Sequence, residues 1–357
     1  MKIWDSIVIG AGQSGLAAGY YLQQANASFV ILDANPRIGG SWQRYWHSLR
    51  LFSPAKYSQL PGMDFPGDPD HFPARDAVIA YLQRYADHFQ FLIQTSTRVE
   101  RVTRPDGIFH IETDQGECFF AHSVVVAGGA FNRPYIPTIP GEDLFNGRVI
   151  HSFNYREPSS FAGERVIIVG ANNSAVQIGV EIARAPAQAT LAVRREINWW
   201  PQRFLGKDIF FWFHGTGLDM IPWGLLFDVE DTNMVIDDGR YQTAVAQGQP
   251  SVRQMFTRFT PDGVIWPDAS AEAVDSIVFA TGYRADNMPY LEPLGALCDE
   301  TGRPHQRGGV STVVDGLYFI GQFGQRTPAS ATLRGVGTDA RVVVGHLMRT
   351  LTKFRTA

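Results

Sequence analysis

The chain has 357 residues, of which 45% are hydrophobic and 18% are charged, and its formal net charge is −4. This composition is typical of a soluble globular protein with room for two domains. The negative charge disfavours a protein that binds nucleic acid by neutralising phosphates. The two cysteines, Cys118 and Cys298, form no CxxC pair, which disfavours a dithiol redox enzyme.

The N-terminus, MKIWDSIVIGAGQSG, lacks the basic region and the uninterrupted apolar run of a signal peptide. No apolar run reaches the roughly 20 residues that a membrane-spanning helix needs. We therefore predict a cytoplasmic protein without stable membrane insertion.

The first predicted unit is a strand, a glycine turn and a helix. Residues 7–9 are all apolar, as in a parallel strand buried on both faces. The following GAGQSG places Gly10, Gly12 and Gly15 in a full GxGxxG: one glycine for the tight turn, one for approach to a pyrophosphate and one for close helix packing. Ser14 lies at the helix N-terminus, where free N–H groups and the helix dipole favour phosphate.

The next predicted strand, FVILD, ends in Asp33. An acid at the end of the second strand, about 20 residues beyond the glycines, binds a ribose 2′-hydroxyl in dinucleotide-binding folds. The sequence therefore predicts a site for FAD or NAD in this unit.

A second, degraded unit follows strand 166–169. Its turn, GANNSA, has Gly170 at the first position and Asn172 at the second, followed by Asn173 and Ser174. Because Asn tolerates left-handed backbone better than most residues, we expect the turn to survive and to bind a nucleotide. The alternative is that this unit keeps the dinucleotide-binding fold but binds no nucleotide.

The strand of this second unit ends in Arg194 and Arg195, which suit the 2′-phosphate of NADPH. Glu196 follows and suits a free ribose, so NADH use stays possible. Two solvated arginines without a ligand are the alternative.

The stretch 197–228 is dense in aromatic residues and is called here the aromatic segment. Three interpretations stay open: plain packing on its own domain, a lid over a substrate channel, or a membrane-touching patch. The small number of basic residues disfavours the membrane patch.

The segment between the two units matches F-x-G-x-x-x-H-x-x-x-Y with Phe145, Gly147, His151 and Tyr155. This motif resembles the fingerprint of class B flavin-dependent monooxygenases, the flavin-containing monooxygenase family. GGSWQRYW and FATGY, at 39–46 and 279–283, are similar to two further elements of that family. Together the motifs cover most of the chain, whose length resembles the small bacterial members.

The resemblance implies an α/β protein with two Rossmann-like dinucleotide-binding domains. An NAD(P)H-binding domain, 156–275, would be inserted into an FAD-binding domain made of 1–155 and 276–357. His151 and Tyr155 would tie the linker to the NADPH domain. The family also implies FAD and NADPH as cofactors, a small-molecule substrate with O2, and a possible homodimer.

The resemblance also indicates flavin contacts. Gly40 and Trp42 belong to the GG-x-W element, and His47 is a candidate contact close to it. Gln322 stands where related flavoproteins usually have Asp on the ribityl chain. Leu333 lies at the predicted start of the last helix, whose dipole would stabilise reduced flavin near N1.

The candidate catalytic residues are Phe52 and His151. The expected reaction is oxygen transfer from a C4a-peroxyflavin to a sulfide or an amine, with the difficult step supplied by the cofactor. Tyr155 stands where dedicated Baeyer–Villiger enzymes have Trp, so ketone oxidation is a secondary possibility. Phe52 stands where many members have Asn, which favours an alternative: an NAD(P)H oxidase or diaphorase that releases hydrogen peroxide. A non-catalytic flavoprotein is the third hypothesis.

Overall fold

The computed structural model describes residues 2–225, 234–284 and 288–356. Two largely parallel sheets organise the chain, and we call them, with the elements that cover them, the first and second units. No helix in the described ranges is long and apolar enough to cross a membrane.

The first sheet has seven strands. In spatial order they are Gln306–Arg307, Val310–Ser311, Leu317–Phe319, Val124–Val126, Ser6–Ile9, Phe29–Leu32 and Ile93–Gln94. The first two run antiparallel to their neighbours and the other five run parallel to one another. Leu317, Val124 and Ile7 are in register and share one face of the sheet, and both faces are buried. This explains the uninterrupted apolar run at 7–9.

Helices cover one face of this sheet. They are α1 (Gln13–Gln24), α2 (Arg75–His88) and, at the other end of the chain, a further helix over Leu333–Thr356. A smaller sheet covers the other face, with strands Ile3–Trp4, Cys118–Ala121, Phe109–Thr113 and Val99–Thr103 in spatial order. The first unit is therefore built from an N-terminal and a C-terminal part of the chain.

The second sheet has five parallel strands. In spatial order they are Arg148–His151, Ser276–Phe279, Arg165–Val169, Gln188–Val193 and Ser251–Gln254. Helix α3 (Asn173–Arg184) packs on one face, and the three-stranded sheet of Arg258–Thr260, Gly263–Ile265 and Ala271–Ala273 packs on the other. This sheet lies in the chain between two parts of the first, so the predicted fold, one dinucleotide-binding domain inserted into another, is confirmed.

The limits of the insertion differ from the prediction. Strands Arg148–His151 and Ser276–Phe279 fall outside the predicted 156–275, yet both belong to the second sheet. The two crossings between units lie side by side, because Arg133–Pro134 pairs antiparallel with Tyr283–Arg284. The sequence did not assign these strands to the second sheet, because their partners are distant in the chain.

The aromatic segment is described as far as residue 225. Strand Asn198–Pro201 pairs with Met234–Asp237, and Arg203–Phe204 forms a hairpin with Lys207–Asp208. Helix α4 (Ile209–Thr216) follows, capped by the Asp208 side chain, which accepts a hydrogen bond from the Phe210 N–H at 2.9 Å. Helix α5 spans Arg240–Ala246, and the C-terminal helix Leu333–Thr356 is α6.

Candidate active site

The first glycine turn is fixed by close backbone contacts. Gly10 has a φ of +110°, and a Cβ there would lie 2.6 Å from the carbonyl oxygen of Ala127. A Cβ at Gly15 would lie 1.8 Å from the carbonyl oxygen of Gly10. Both positions therefore require glycine for the fold itself.

Gly12 has a different reason to be glycine. Its φ of −82° suits any residue, and the nearest atom to an added Cβ is the Cα of Gly40, 3.7 Å away. The space at the start of α1 is therefore left open by the chain, and a phosphate beside the helix N-terminus fits it. Ser14 lies buried on the same turn, and its Oγ would be 2.0 Å from a Cβ at Gly321.

Asp33 closes this turn through its side chain. Its buried carboxylate accepts hydrogen bonds from the Ala11 N–H at 2.5 Å and from the Asn35 N–H at 2.7 Å. Each carboxylate oxygen can accept more than one hydrogen bond, so a ribose hydroxyl still fits.

Gln13 joins the two ends of the first unit, and sequence reasoning missed it. The Trp42 Nε1–H donates to Gln13 Oε1 at 3.0 Å, and Gln13 Nε2 donates to the Ala331 carbonyl oxygen at 2.8 Å. The start of α1 is thereby tied to the start of α6, where Leu333 lies buried. Gln13 occupies a variable position of GxGxxG, so the motif carried no signal for it.

Gln322 provides a test of whether a flavin fits. Its Nε2 is buried and has no hydrogen-bond partner within the described part of the chain. Leaving such a donor unpaired costs about 1–3 kcal/mol. An oxygen of the FAD ribityl chain would satisfy it, so this residue fits the predicted cofactor.

His47 contacts the linker between the units, and its flavin contact stays a prediction. Its Nδ1 lies 3.4 Å from Glu157 Oε2, and its backbone N–H donates to the Arg156 carbonyl oxygen. The contacts of His47 are thus with the linker between the units. The GG-x-W element turns towards that linker after Trp42, which local sequence did not show.

The second glycine turn has the same requirement for glycine at its first position as the first turn. Gly170 has a φ of +144°, and a Cβ there would lie 2.6 Å from the carbonyl oxygen of Ala280. Asn172 has a φ of −100°, so the turn does not need the tolerance of left-handed backbone on which the prediction relied. Asn173 Nδ2 donates to the Met234 carbonyl oxygen at 2.8 Å, while Ser174 lies half-buried in the first turn of α3.

Arg194 and Arg195 are exposed, as is Glu196. They follow the strand Gln188–Val193 directly and therefore lie at the carboxyl edge of the second sheet, the edge that carries the glycine turn. This is where a dinucleotide-binding fold reads the ribose and its phosphate.

The fingerprint residues fasten the two crossings. His151 is buried, and its Nε2–H donates to the Gly282 carbonyl oxygen at 3.0 Å while its Nδ1 accepts from the Phe153 N–H at 3.0 Å. Burial lowers the pKa of His151, although the Gly282 contact opposes this. Both ring nitrogens form hydrogen bonds within the protein, so these contacts favour a structural role for His151 over the catalytic role. Tyr155 packs between Trp46 and Phe161.

The aromatic segment lies over the first unit. The Phe52 ring stacks on Phe210 with centroids 6.0 Å apart, and Gln202 Nε2 donates to the Phe52 carbonyl oxygen at 3.0 Å. Farther along, the Gly224 N–H donates to the Arg326 carbonyl oxygen at 2.9 Å. The segment therefore bridges the units. Residues 226–228 fall outside the described residues.

The sequence pattern of the pyridine nucleotide-disulphide oxidoreductase family matches residues 7–204. The chain belongs to this family. FAD and NADPH, the predicted cofactors, are those on which the family and its structural neighbours depend.

Individual relatives indicate that, within this family, the chain is similar to flavin-containing monooxygenases. A flavin-containing monooxygenase from Stenotrophomonas maltophilia has 31% identity and a TM-score of 0.81, with 99% of each chain covered. An uncharacterized CzcO-like oxidoreductase from Geobacillus kaustophilus is 35% identical, over 97% of this chain and 99% of that protein. A probable indole-3-pyruvate monooxygenase, YUCCA1 of Arabidopsis thaliana, is 27% identical over 96% and 89%. The predicted resemblance is confirmed, and the protein is an oxidoreductase enzyme.

Proposed function

We propose that this enzyme uses NAD(P)H and FAD to transfer one oxygen atom of O2 to a soft nucleophile, a sulfide or an amine. The observation that carries the proposal is that the aromatic segment lies over the first unit. Phe210 is buried against Phe52, on the side of the first unit where the flavin ring is expected. Oxygen transfer from a flavin needs such a dry, enclosed space, because water diverts the oxidant.

The first unit would hold FAD. Gly12 and Gly40 leave room for the pyrophosphate at the N-terminus of α1, with Ser14 beside it. Gln322 would donate to the ribityl chain through its buried amide. The N-terminus of α6, at Leu333, would place its positive dipole end towards N1 of the reduced ring. FAD, when bound, supplies the hydride acceptor and the site of oxygen activation.

The second unit would hold the nicotinamide coenzyme. Gly170 makes the tight turn, and the N-terminus of α3 at Asn172, Asn173 and Ser174 would face the pyrophosphate. Arg194 and Arg195 would contact a 2′-phosphate.

A specific observation favours a second candidate function, that of an NAD(P)H oxidase that releases hydrogen peroxide. The side chain of Phe52 is packed on Phe210 and offers no amide at a position where the family resemblance implies Asn. An enzyme that cannot protect its oxidant consumes NADPH and O2 without oxygenating a substrate.

Product stoichiometry separates the two functions. Holoenzyme is given NADPH and O2 with methyl phenyl sulfide, an amine or a ketone in separate reactions, and NADPH, the oxygenated product and hydrogen peroxide are each quantified. A monooxygenase forms one sulfoxide for each NADPH. Peroxide equal to the NADPH consumed, with sulfide, amine and ketone all unchanged, would sink the monooxygenase proposal in favour of the oxidase.

A further inference from the structure

The described end of the aromatic segment is fastened to the loop that precedes α6, residues 320–332, which we call the α6 loop. The Gly224 N–H donates to the Arg326 carbonyl oxygen at 2.9 Å. A Cβ at Gly224 would lie 1.8 Å from the Gly324 carbonyl oxygen, so the segment lies directly on the loop at this point. The position of the segment therefore depends on where the α6 loop holds Arg326.

The position of Arg326 is set by two contacts. Its backbone N–H donates to the Ser330 hydroxyl at 3.1 Å, and the Thr327 N–H donates to the same oxygen at 2.9 Å. Its Nε lies 3.4 Å from Oδ1 of Asp339, a fully buried residue on the second turn of α6. Arg326 therefore connects a buried carboxyl group in α6 with the aromatic segment.

Asp339 is a buried carboxyl group with few partners. Neither of its oxygens has a hydrogen bond of ordinary geometry within the described residues, and the Arg326 contact is long for a charge-assisted one. Burial raises the pKa of Asp339 to about 6, although the nearby Ser330 hydroxyl and the Arg326 guanidinium oppose this. Among the described residues, Arg326 is the charged group that acts on Asp339.

The ionised form of Asp339 costs stability. Because its pKa in the folded protein lies above the ordinary 3.8, the folded state binds more protons between pH 3.8 and about 6. The free energy of unfolding therefore decreases as the pH rises through this window, and the cost is present at neutral pH. A buried charge is retained here although a neutral side chain of the same shape would avoid this cost. This points to a role other than stabilising the fold.

We propose that Asp339 and Arg326 are positioning residues for oxygen transfer: ionised Asp339 orients Arg326, and Arg326 holds the aromatic segment closed over the first unit. This inference rests on the proposed function. A segment that lifts at Gly224 would admit water to the enclosed space and divert the oxidant to hydrogen peroxide. Protonation of Asp339 removes the charge-assisted part of its contact with Arg326, so the segment opens more often.

Hydrogen–deuterium exchange of the oxidised holoenzyme at neutral pH measures this opening without turnover. Asp339→Asn keeps the shape of the side chain and removes its charge. We expect the amides of residues 209–225 to exchange about ten-fold faster, while the unfolding temperature stays the same or rises because a buried charge is removed. Unchanged exchange would overturn the proposal. Faster exchange throughout the first unit with a lower unfolding temperature would also overturn it, since a merely structural residue gives that result.

Substitutions of Arg326 keep the test decisive if Asp339→Asn does not fold. Arg326→Gln should accelerate exchange in residues 209–225 by a similar factor, and Arg326→Lys should restore part of the protection because it keeps a positive charge beside Asp339. Asp275→Asn breaks the 2.8 Å ion pair with Arg165 in the second unit and is the matched control. Faster exchange of residues 209–225 in this control would contradict a specific role for the Arg326 contact.

The hydrogen peroxide formed for each NADPH oxidised is a second measurement, in which NADPH, H⁺ and O2 give NADP⁺ and H2O2. If the wild type forms sulfoxide, this ratio should rise as the pH falls through about 6. In Asp339→Asn it should be high and constant over the same range. Parallel pH profiles in a sulfoxide-forming enzyme would overturn the proposal.

The failure of this proposal is distinguishable from failure of the proposed function. Exchange that responds as expected in an enzyme that releases only peroxide would keep the hold of Arg326 on the segment and remove the monooxygenase. A full sulfoxide yield with unchanged exchange in every variant would keep the monooxygenase and remove the positioning role.

Discussion

The two glycine turns share a backbone but differ in what they demand of each position. At the first position the two turns are equally crowded: a Cβ at Gly10 or at Gly170 would lie 2.6 Å from the carbonyl oxygen of the residue that follows the adjacent strand, Ala127 or Ala280. The third position differs. Gly15 leaves no room for a Cβ, whereas Ala175 is buried in the second turn without such a collision.

The second position differs for another reason. Gly12 and Asn172 both have ordinary negative φ values, −82° and −100°, so neither turn needs glycine there for its backbone. A glycine that the fold does not require points to the ligand. The first turn is therefore built for closer backbone approach than the second.

The largest expected effect is that of Gly15→Ala. The added methyl group meets the Gly10 carbonyl oxygen and should cost about 3 kcal/mol or more through overpacking. Thermal unfolding and FAD content of the purified protein measure it. Ala175→Gly is the matched change in the second turn and should cost only about 1 kcal/mol. Similar losses in both variants would mean that the two helices pack alike.

Gly12→Ala should separate folding from binding. The methyl group has space in the protein alone, so the unfolding temperature of the apoprotein should stay the same. FAD affinity should fall about 30-fold, or about 2 kcal/mol, because the methyl group occupies the pyrophosphate position. Fluorescence titration of apoprotein with FAD measures this. Unchanged FAD affinity would show that the phosphates lie elsewhere, and Asn172→Gly is the control that should leave FAD binding intact.

Arg194→Ala tests the ligand of the second turn. The kcat/KM for NADPH should fall about ten-fold, and that for NADH should change by less than about two-fold, because one charge-assisted contact to the 2′-phosphate is lost. Arg258→Ala, an exposed arginine on the three-stranded sheet, should change neither. Equal losses with both coenzymes would show that Arg194 does not read the phosphate.

The smallest expected effect is on the pH dependence of stability, through His151 in the segment between the two glycine turns. The pKa of His151 is lowered below its ordinary 6.5 in the folded protein, so the unfolded state binds more protons once the pH falls below 6.5. The free energy of unfolding should therefore decrease as the pH drops from 6.5 through the folded pKa. His151→Gln should be less stable at neutral pH but lose less over that range. Urea unfolding at several pH values measures both, and parallel pH profiles would contradict the assignment.

Local patterns predicted the features that depend on local geometry. Gly10, Gly15 and Gly170 were identified because a strand, a tight turn and a helix leave a pattern within about 30 residues. The protein contacts of Gln13, Asn173 and His47 were not predicted, because their partners, such as Ala331 for Gln13, lie far away in the chain. The position of the aromatic segment over Phe52 has the same origin, since composition alone does not say which surface a segment covers.

The antiparallel pairing of Arg133–Pro134 with Tyr283–Arg284 gives the molecule a modular character. All five strands of the second sheet come from one continuous stretch, 148–279. A single short linker from Pro134 to Tyr283, which face each other across the ribbon, would close the flavin unit on itself. We therefore expect the second unit to be exchangeable for that of a relative, because both of its connections to the first unit lie in one place.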